Sequence, residues 1–256
     1  MMTEERDDLI VGRNPVLEVL RSNMQISRIL VAEGKKEGSI NAIIAIAKKN
    51  NVLVKEVSRA KLDGIISEKN HQGVLAFISP IRYVEVDEIL DYAKQLNEPP
   101  LIVILDGIED VHNLGAIGRT ALAVGAHGII IPKHRAAPIT PTAMKASAGA
   151  LMHIKVSMVT NISKTIDYLK TKGMWSVGTH QDAKDIYYKS DLTGPMAVII
   201  GSEGKGMGHL VSTKCDFTVN IPMKGSINSL NASVSAAIIL YEVAKQRAEK
   251  RESIND

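Results

Sequence analysis

Aromatic residues and cysteine are scarce in this sequence. Phe, Trp and Tyr together make up 4% of the 256 residues, which argues against a protein that holds single-stranded RNA by base stacking alone. The single cysteine, Cys215, excludes an intramolecular disulfide, and a small buried hydrophobic residue is the favoured interpretation of it. No apolar run reaches the roughly 18 residues that a membrane-spanning helix needs. The acidic start MMTEERDDLI has no apolar segment, so we predict no signal peptide and a soluble cytoplasmic protein.

The chain also lacks a strong excess of either charge. Charged residues make up 23% of the sequence and hydrophobic residues 45%, which is typical of a folded protein and not of a disordered one. The net charge of +3 is only weak evidence for a nucleic-acid partner. At this length the chain can form two modest domains.

Residues 1–80 predict a small N-terminal α/β domain, because strand and helix patterns alternate along them. Asn14 and Pro15 mark the start of the first helix. A linker is predicted over 81–100, where a short amphipathic helix, VDEILDYAKQL, lies between Pro80 and Pro99–Pro100. The predicted strands cover 26–32, 52–57 and 73–78, and the predicted helices cover 14–22, 38–50 and 58–67.

From residue 101 to 256 the βα alternation restarts, beginning with the continuous apolar run LIVILD (101–106). Such runs indicate strands buried on both faces. The order favours an α/β fold with a doubly wound, mostly parallel sheet. Further strands are predicted over 128–132, 154–159, 174–179, 196–201 and 217–222, and helices over 114–125, 141–150, 161–172 and 229–250.

Three polar motifs interrupt this domain: HNLGAIGRTALAVGA (112–126), GSEGKGMG (201–208) and IPMKGSINSLNASVSAA (221–237). The first places the charged Arg119 within a helix of small residues. The second fits neither the Walker phosphate loop nor the dinucleotide fingerprint, because its glycine spacing is wrong for both. It is either a flexible turn or a loop whose Glu203 and backbone N–H groups meet a ligand. The third places Ser229 and Asn231 at a helix start, where they either cap the helix or bind a polar ligand.

Taken in order, the three motifs resemble those of the SpoU family, also called the TrmH family, of RNA ribose 2′-O-methyltransferases in the SPOUT superfamily. The resemblance covers roughly residues 101–245. The stretches GRNPVLEVL and NHQGVLAFIS resemble the ribosomal-protein-like substrate-binding domain of the ribosomal branch, the bacterial 23S rRNA guanosine-2′-O-methyltransferases. The resemblance implies S-adenosyl-L-methionine as cofactor, a deep C-terminal trefoil knot, and a homodimer with the active site at the interface.

The resemblance also implies the roles of individual residues. The catalytic residues expected from it are Asn113, Arg119, Glu203, Ser229 and Asn231. The residues expected to hold the cofactor are Thr179, Gly201, Ile221, Met223 and Leu230.

Arg119 is proposed within the family to act as the general base. An arginine side chain stays protonated in proteins, however. We therefore expect Arg119 to orient a nucleotide phosphate and stabilise the developing alkoxide. Glu203 is expected to contact Asn113 or to compensate a buried positive charge. Basic side chains that are candidates for meeting RNA phosphates are Arg13, Arg28, Lys35, Lys36, Lys133, His134, Arg135, Lys145, Lys205 and Lys224.

The predicted partner is RNA, most simply 23S rRNA, and neither DNA nor a membrane. DNA is excluded because it has no ribose 2′-hydroxyl. The seven histidines show no metal-ligand spacing, and methyl transfer from a sulfonium needs no metal, so none is predicted. Two alternatives stay open: a tRNA ribose 2′-O-methyltransferase, and a non-catalytic RNA-binding or ribosome-assembly protein. A dinucleotide oxidoreductase is the weakest alternative, since the glycine spacing contradicts it.

Overall fold

The structure, a computed structural model, describes residues 9–22, 24–34, 36–66, 70–226 and 228–255. The chain divides into two compact units. The smaller comprises the residues up to Arg82 together with Ile139–Pro141, and the larger comprises Tyr83–Pro138 and the residues from Thr142 onward. No helix among the described residues is long and apolar enough to span a membrane.

The smaller unit contains a four-stranded sheet with the order β1-β4-β2-β3. β2 pairs in parallel with β3 and antiparallel with β4, which also pairs antiparallel with β1. Helices α1 and α2 pack on one face, around Val16, Ile29 and Ile43. The elements are β1 (Leu9–Val11), α1 (Arg13–Arg21), β2 (Ile26–Ala32), α2 (Ser39–Lys49), β3 (Leu53–Val57), α3 (Arg59–Asp63) and β4 (Val74–Ile78).

Helices α1 and α3 of this unit differ from the sequence predictions, and strand β1 was not predicted. Helix α1 begins at Arg13, one residue before the predicted cap Asn14, because Gly12 takes the cap position with φ 95°. A glycine suits this position because it carries no penalty at positive φ. Helix α3 is shorter than predicted and ends at Asp63; the last predicted position, Ser67, lies outside the described residues.

The larger unit contains a seven-stranded sheet with the order β7-β6-β5-β10-β8-β11-β9. All of its recorded strand pairs are parallel, which confirms the predicted mostly parallel sheet. Its strands are β5 (Leu101–Asp106), β6 (Gly128–Pro132), β7 (Lys155–Val159), β8 (Trp175–Thr179), β9 (Asp185–Ile186), β10 (Met196–Gly201) and β11 (Phe217–Asn220).

The helices of this unit pack the apolar strands into a core. Helices α5 and α9 pack against each other, and α9 also packs against β10. The helices are α4 (Val86–Gln95), α5 (Val111–Ala123), α6 (Pro141–Ala146), α7 (Ile162–Thr171), α8 (His209–Ser212) and α9 (Ala232–Asn255), and 3₁₀ turns cover Ala150–Met152 and Tyr187–Lys189. α6 begins at Pro141, the last residue of the short segment that clusters with the smaller unit.

The predicted linker 81–100 is corrected by the structure. Residues from Tyr83 onward belong to the larger unit, and Tyr83 forms a bridge with Val156. Ile89 of α4 is fully buried in the same core cluster as Ile102 and Ile104. A Cβ on Gly128 would lie 2.6 Å from Ile89 Cδ1, so only glycine fits beneath this helix. The charged residues of VDEILDYAKQL therefore form the outer face of a packed helix and not a free tether.

Cys215 packs against this core, and burial raises the pKa of its thiol to about 12. Since the thiolate is the reactive form, we expect Cys215 of the folded protein to react slowly with a thiol reagent such as Ellman's reagent at pH 8. Unfolding in urea is expected to restore the rate of an ordinary cysteine. Complete labelling of the folded protein at the unfolded rate would contradict this prediction.

Candidate active site

A cavity of about 810 Å³ lies at the carboxyl ends of three neighbouring strands, β10, β8 and β11. This edge of a parallel sheet is where ligands bind in open α/β folds, and the volume falls in the range of small-molecule sites. All five residues predicted to hold a cofactor line it: Thr179, Gly201, Ile221, Met223 and Leu230. Two of the predicted catalytic residues, Glu203 and Ser229, line it as well.

The glycine-rich loop after β10 is folded into a tight turn. Ser202 N donates to Gly206 O at 3.0 Å, and Gly206 N donates to Ser202 O at 2.8 Å. Gly204 and Gly206 have positive φ values of 74° and 65°, which glycine adopts without strain. A Cβ on Gly201 would lie 2.2 Å from the backbone of Gly206 and Met207, so the loop closes directly over this residue. The turn thereby places Glu203 at its tip, beside the cavity.

Glu203 joins the three motifs through one carboxylate oxygen. Its Oε1 accepts a hydrogen bond from Asn113 Nδ2 at 3.0 Å and another from Asn231 Nδ2. The backbone N–H of Ala232 lies 3.4 Å from the same oxygen. The expected contact between Glu203 and Asn113 is thus confirmed. The side chain also satisfies a backbone donor at the start of α9.

Asn231 both joins the hydrogen bonds around Glu203 and caps helix α9. Its Nδ2 donates to Asn113 Oδ1 at 3.0 Å, while its Oδ1 accepts from Ser233 N at 2.9 Å. The second bond is the capping bond of an N-terminal asparagine. Helix α9 therefore begins at Ala232, three residues after the predicted start at residue 229. Because the nitrogen and the oxygen of the side-chain amide each have their own partner, the orientation of Asn231 is fixed.

Asn113 is the buried member of the network, with 8% of its surface exposed. It lies in the first turn of α5, which begins at Val111 and not at the predicted residue 114. Asp110 caps this helix by accepting a hydrogen bond from His112 N at 3.0 Å. A buried amide requires partners for its polar atoms, and Glu203 and Asn231 supply one to each end.

Arg119 is not brought to the cavity within one chain. It lies on the exposed side of α5, does not line the cavity, and has no polar partner among the described residues. Asn113 and Asn231 are also absent from the cavity lining, although Glu203, which does line it, holds both. The structure thus assembles four of the five predicted catalytic residues at one place, and Arg119 is not among them.

Two features of the site escaped the sequence prediction. Asp106 at the end of β5 accepts a hydrogen bond from Gly208 N through Oδ2 at 2.7 Å, and so anchors the far end of the glycine-rich loop. The segment 180–184 after β8 forms another wall of the cavity. The sequence could have indicated Asp106, because it is a carboxylate at the end of a buried strand. No sequence pattern indicates the segment 180–184.

Comparison with known proteins gives the family. Residues 100–241, more than half of the chain, match the SpoU rRNA Methylase family, and residues 9–84 match the family described as RNA 2′-O ribose methyltransferase substrate binding. The chain belongs to the SpoU methylase family. Its members are RNA methyltransferases, and S-adenosylmethionine is their cofactor.

Relatives of the chain match over nearly its full length. YacO of Bacillus subtilis (strain 168), whose name places it in the TrmH family of tRNA/rRNA methyltransferases, is 45% identical over 95% of this chain and 97% of its own. Two of the similar solved structures hold AdoMet. AviRb of Streptomyces viridochromogenes is 26% identical, with a TM-score of 0.61 over 94% of this chain and 90% of its own. An rRNA methyltransferase from Sinorhizobium meliloti is 25% identical, with a TM-score of 0.58 over 93% and 86%.

Replacing Glu203 with alanine tests the network. The change leaves the Nδ2 groups of Asn113 and Asn231 without this acceptor, and a lost partner costs a buried donor about 1–3 kcal/mol. We expect the free energy of unfolding to fall by about that amount. Methyl transfer to RNA, measured in single-turnover assays, should also fall, because Asn113 and Asn231 are no longer held in place. Glu203→Gln keeps an acceptor oxygen and is the matched control, with a smaller loss expected. Equal activity of Glu203→Ala and the unmodified protein would contradict this role.

Proposed function

We propose that this protein transfers the methyl group of S-adenosylmethionine to a ribose 2′-hydroxyl of RNA, in the cytoplasm, and that its target is a guanosine in the peptidyl-transferase region of 23S rRNA. The convergence of the three motifs at one cavity is the observation that carries the proposal. Asn113, Glu203 and Asn231 come from distant parts of the chain and are bonded to one another beside a cavity that is lined by the predicted cofactor residues.

The cavity fits a nucleoside-sized cofactor. Its volume is adequate, and most of the residues that line it lie in the loops after β8, β10 and β11. Thr179 and Gly201 end β8 and β10, Ile221 follows β11, and all three would hold the cofactor there. Met223 and Leu230 also line the cavity. When bound, the cofactor supplies an electrophilic methyl group on a sulfonium. Catalysis then requires the ribose oxygen to be held in line with it at near-attack distance.

Neutral amides and one carboxylate are the groups that this chain places beside the cavity. Ser229 is exposed at the rim and is able to hydrogen-bond to a ribose hydroxyl. Glu203 and Asn231 hold each other and Asn113 in fixed orientations, which is the preorganisation that transition-state stabilisation needs. Arg119 supplies the positive charge: it binds the nucleotide phosphate and stabilises the alkoxide as the 2′-oxygen loses its proton. No step in this scheme uses a metal ion.

The exposed position of Arg119 supports a homodimer with the active site at the interface. Val234 and Tyr241 lie two turns apart on the same face of α9, and they are 45% and 57% exposed. Met152, in the 3₁₀ turn that packs against α5, is 66% exposed. Apolar side chains of this size at one face are typical of a subunit interface. A second copy seated on α5 and α9 would accept Arg119 into its own cavity. The C-terminal trefoil knot remains part of this proposal.

The choice of rRNA over tRNA rests on the N-terminal unit. Residues 9–84 match a substrate-binding family, and the rRNA methyltransferase from Sinorhizobium meliloti aligns with 93% of the chain. The name of YacO covers both tRNA and rRNA, which keeps a tRNA ribose as the second candidate substrate.

Mapping ribose 2′-O-methylation in rRNA and tRNA, from cells with and without this protein, tests the proposal. Loss of one mark in 23S rRNA is the expected result, whereas loss of a tRNA mark would support the second candidate. Unchanged maps, together with a purified protein that binds no S-adenosylmethionine, would instead indicate a non-catalytic RNA-binding protein.

A further inference from the structure

The guanidinium of Arg13 is held at a fixed position in the smaller unit. Its Nε donates to the backbone carbonyl of Gln72 at 3.0 Å. The side chain of Gln72 in turn accepts from the backbone N–H of Arg13, with Oε1 at 3.3 Å. These bonds join the two stretches that resemble a substrate-binding domain, GRNPVLEVL and NHQGVLAFIS. The side chain of Arg13 is therefore oriented by backbone geometry and not by a carboxylate.

A buried histidine next to Gln72 in the sequence fixes the same loop. His71 is fully buried; its Nδ1 accepts from Gly73 N at 3.0 Å, so its Nε2 carries the hydrogen and donates to Asp63 Oδ1 at 3.0 Å. Gln72 adopts a positive φ of 51°, which a non-glycine residue keeps only where its surroundings fix it. The carbonyl that binds Arg13 is thus part of a rigid loop.

The two Nη groups of Arg13 have no hydrogen bond or ion pair within the described part of the chain. Asp63, the carboxylate of this loop cluster, bonds to His71 and forms no ion pair with Arg13. A guanidinium whose Nε is occupied still presents a pair of parallel N–H donors on its Nη edge. That edge matches the spacing of two oxygens of a phosphate.

Arg13 differs in this respect from the other basic residues that the sequence suggested for this unit. Arg28 lies over the ring of Phe77, 4.3 Å from its centroid, and Lys36 pairs with Glu56. Lys35 lies outside the described residues. Arg13 thus combines an unpaired donor edge with a side chain that is already ordered, which reduces the entropy that binding costs.

We propose that Arg13 binds a backbone phosphate of the substrate RNA through its two Nη groups, and that Gln72 and His71 are the positioning residues for this contact. The proposal rests on the proposed function in taking RNA as the ligand. It assigns RNA binding by the smaller unit to one oriented arginine, at the junction of α1 and the loop before β4, and not to a scattered set of lysines.

Salt-dependent RNA binding by the full-length protein tests this role. The probe is a transcript of the peptidyl-transferase region of 23S rRNA, and an unmodified tRNA transcript is used in parallel. Arg13→Ala is expected to weaken binding by about ten-fold or more, the value of a charge-assisted contact. The slope of log K against log salt concentration should shrink by about 1, as for one lost phosphate contact. Arg13→Lys should recover the slope but only part of the affinity, because a lysine keeps the positive charge and lacks the paired N–H donors of the guanidinium.

Arg21→Ala is the matched control, since Arg21 is an exposed arginine at the other end of the same helix. It should leave both affinity and slope near the values of the unmodified protein. Unchanged RNA binding by Arg13→Ala, or equal losses for Arg13→Ala and Arg21→Ala, would overturn the proposal. S-adenosylmethionine binding and methyl transfer by the unmodified protein are measured alongside, so a failure of the proposed function is seen separately. If the unmodified protein binds neither transcript, both proposals fail.

Discussion

Arg119→Ala is expected to lower methyl transfer by roughly 10²- to 10³-fold, the usual loss when a donor that stabilises developing negative charge is removed. S-adenosylmethionine affinity should stay unchanged, because Arg119 is proposed to act on the nucleotide phosphate and the 2′-oxygen and not on the cofactor. The fold should also be intact, since the side chain is exposed and has no polar partner among the described residues. Single-turnover methyl transfer and calorimetric cofactor binding measure the two effects. Near-normal turnover would refute the catalytic role.

Mixing Arg119→Ala with Glu203→Ala, two variants of lowered activity, shows which subunit's cavity Arg119 serves. In a mixed dimer of Arg119→Ala and Glu203→Ala subunits, an arginine that reaches into its partner's cavity leaves one site with both residues intact. Activity should then return on mixing, to about a quarter of the unmodified level by random pairing of subunits, half of which form mixed dimers with one intact site each. If Arg119 serves the cavity of its own subunit, every site in the mixture lacks one residue and no activity returns.

Gly201→Ala is expected to abolish detectable cofactor binding. Its Cβ would lie 2.2 Å from the backbone of Gly206 and Met207, and backbone atoms cannot move aside as a flexible side chain does. The glycine-rich turn must then open, which displaces the wall of the cavity and the carboxylate of Glu203 together. Calorimetric titration with S-adenosylmethionine measures this loss, and circular dichroism checks that the sheet is retained.

Gly194→Ala provides the control for this change. Gly194 precedes the same strand, β10, at its opposite end, and the nearest atom to an added Cβ there is Trp175 Cδ1, at an ordinary contact distance of 4.0 Å. We expect its cofactor affinity and stability to match the unmodified protein. Tight binding by Gly201→Ala would show that this turn does not form part of the cofactor site.

The sequence predicted the buried strands of the larger unit well because their apolar runs are continuous. β5 and β10 have the predicted bounds, Leu101–Asp106 and Met196–Gly201. The short strands β1 and β9 were missed, since three and two residues are too few to show a period. The predicted helix start at residue 229 was wrong for another reason. Ser229 and Asn231 are both good caps, and only the contacts of Asn231 with Asn113 and Glu203 decide between them.

The site itself was predictable as a set of residues but not as an arrangement. The resemblance to the SpoU family gave the cavity residues, yet no local pattern links Asp106 to Gly208, which are 102 residues apart. Likewise, α4 was taken for a tether because its polar face dominates the stretch VDEILDYAKQL. Its packing depends on Ile89 meeting the sheet, a contact that a single-sequence pattern does not reveal. The position of Arg119 away from the cavity has no sequence signature at all.

The bonds that join Asn113 to Glu203 and to Asn231 span 90 and 118 residues of chain. Such distant pairings form late, because a long intervening segment must be ordered before they can close. During synthesis, a fragment that ends before Asn231 therefore lacks the residue that ties the first motif to the last. The hydrogen-bond network closes only after Asn231 and the helix that follows it have been synthesised.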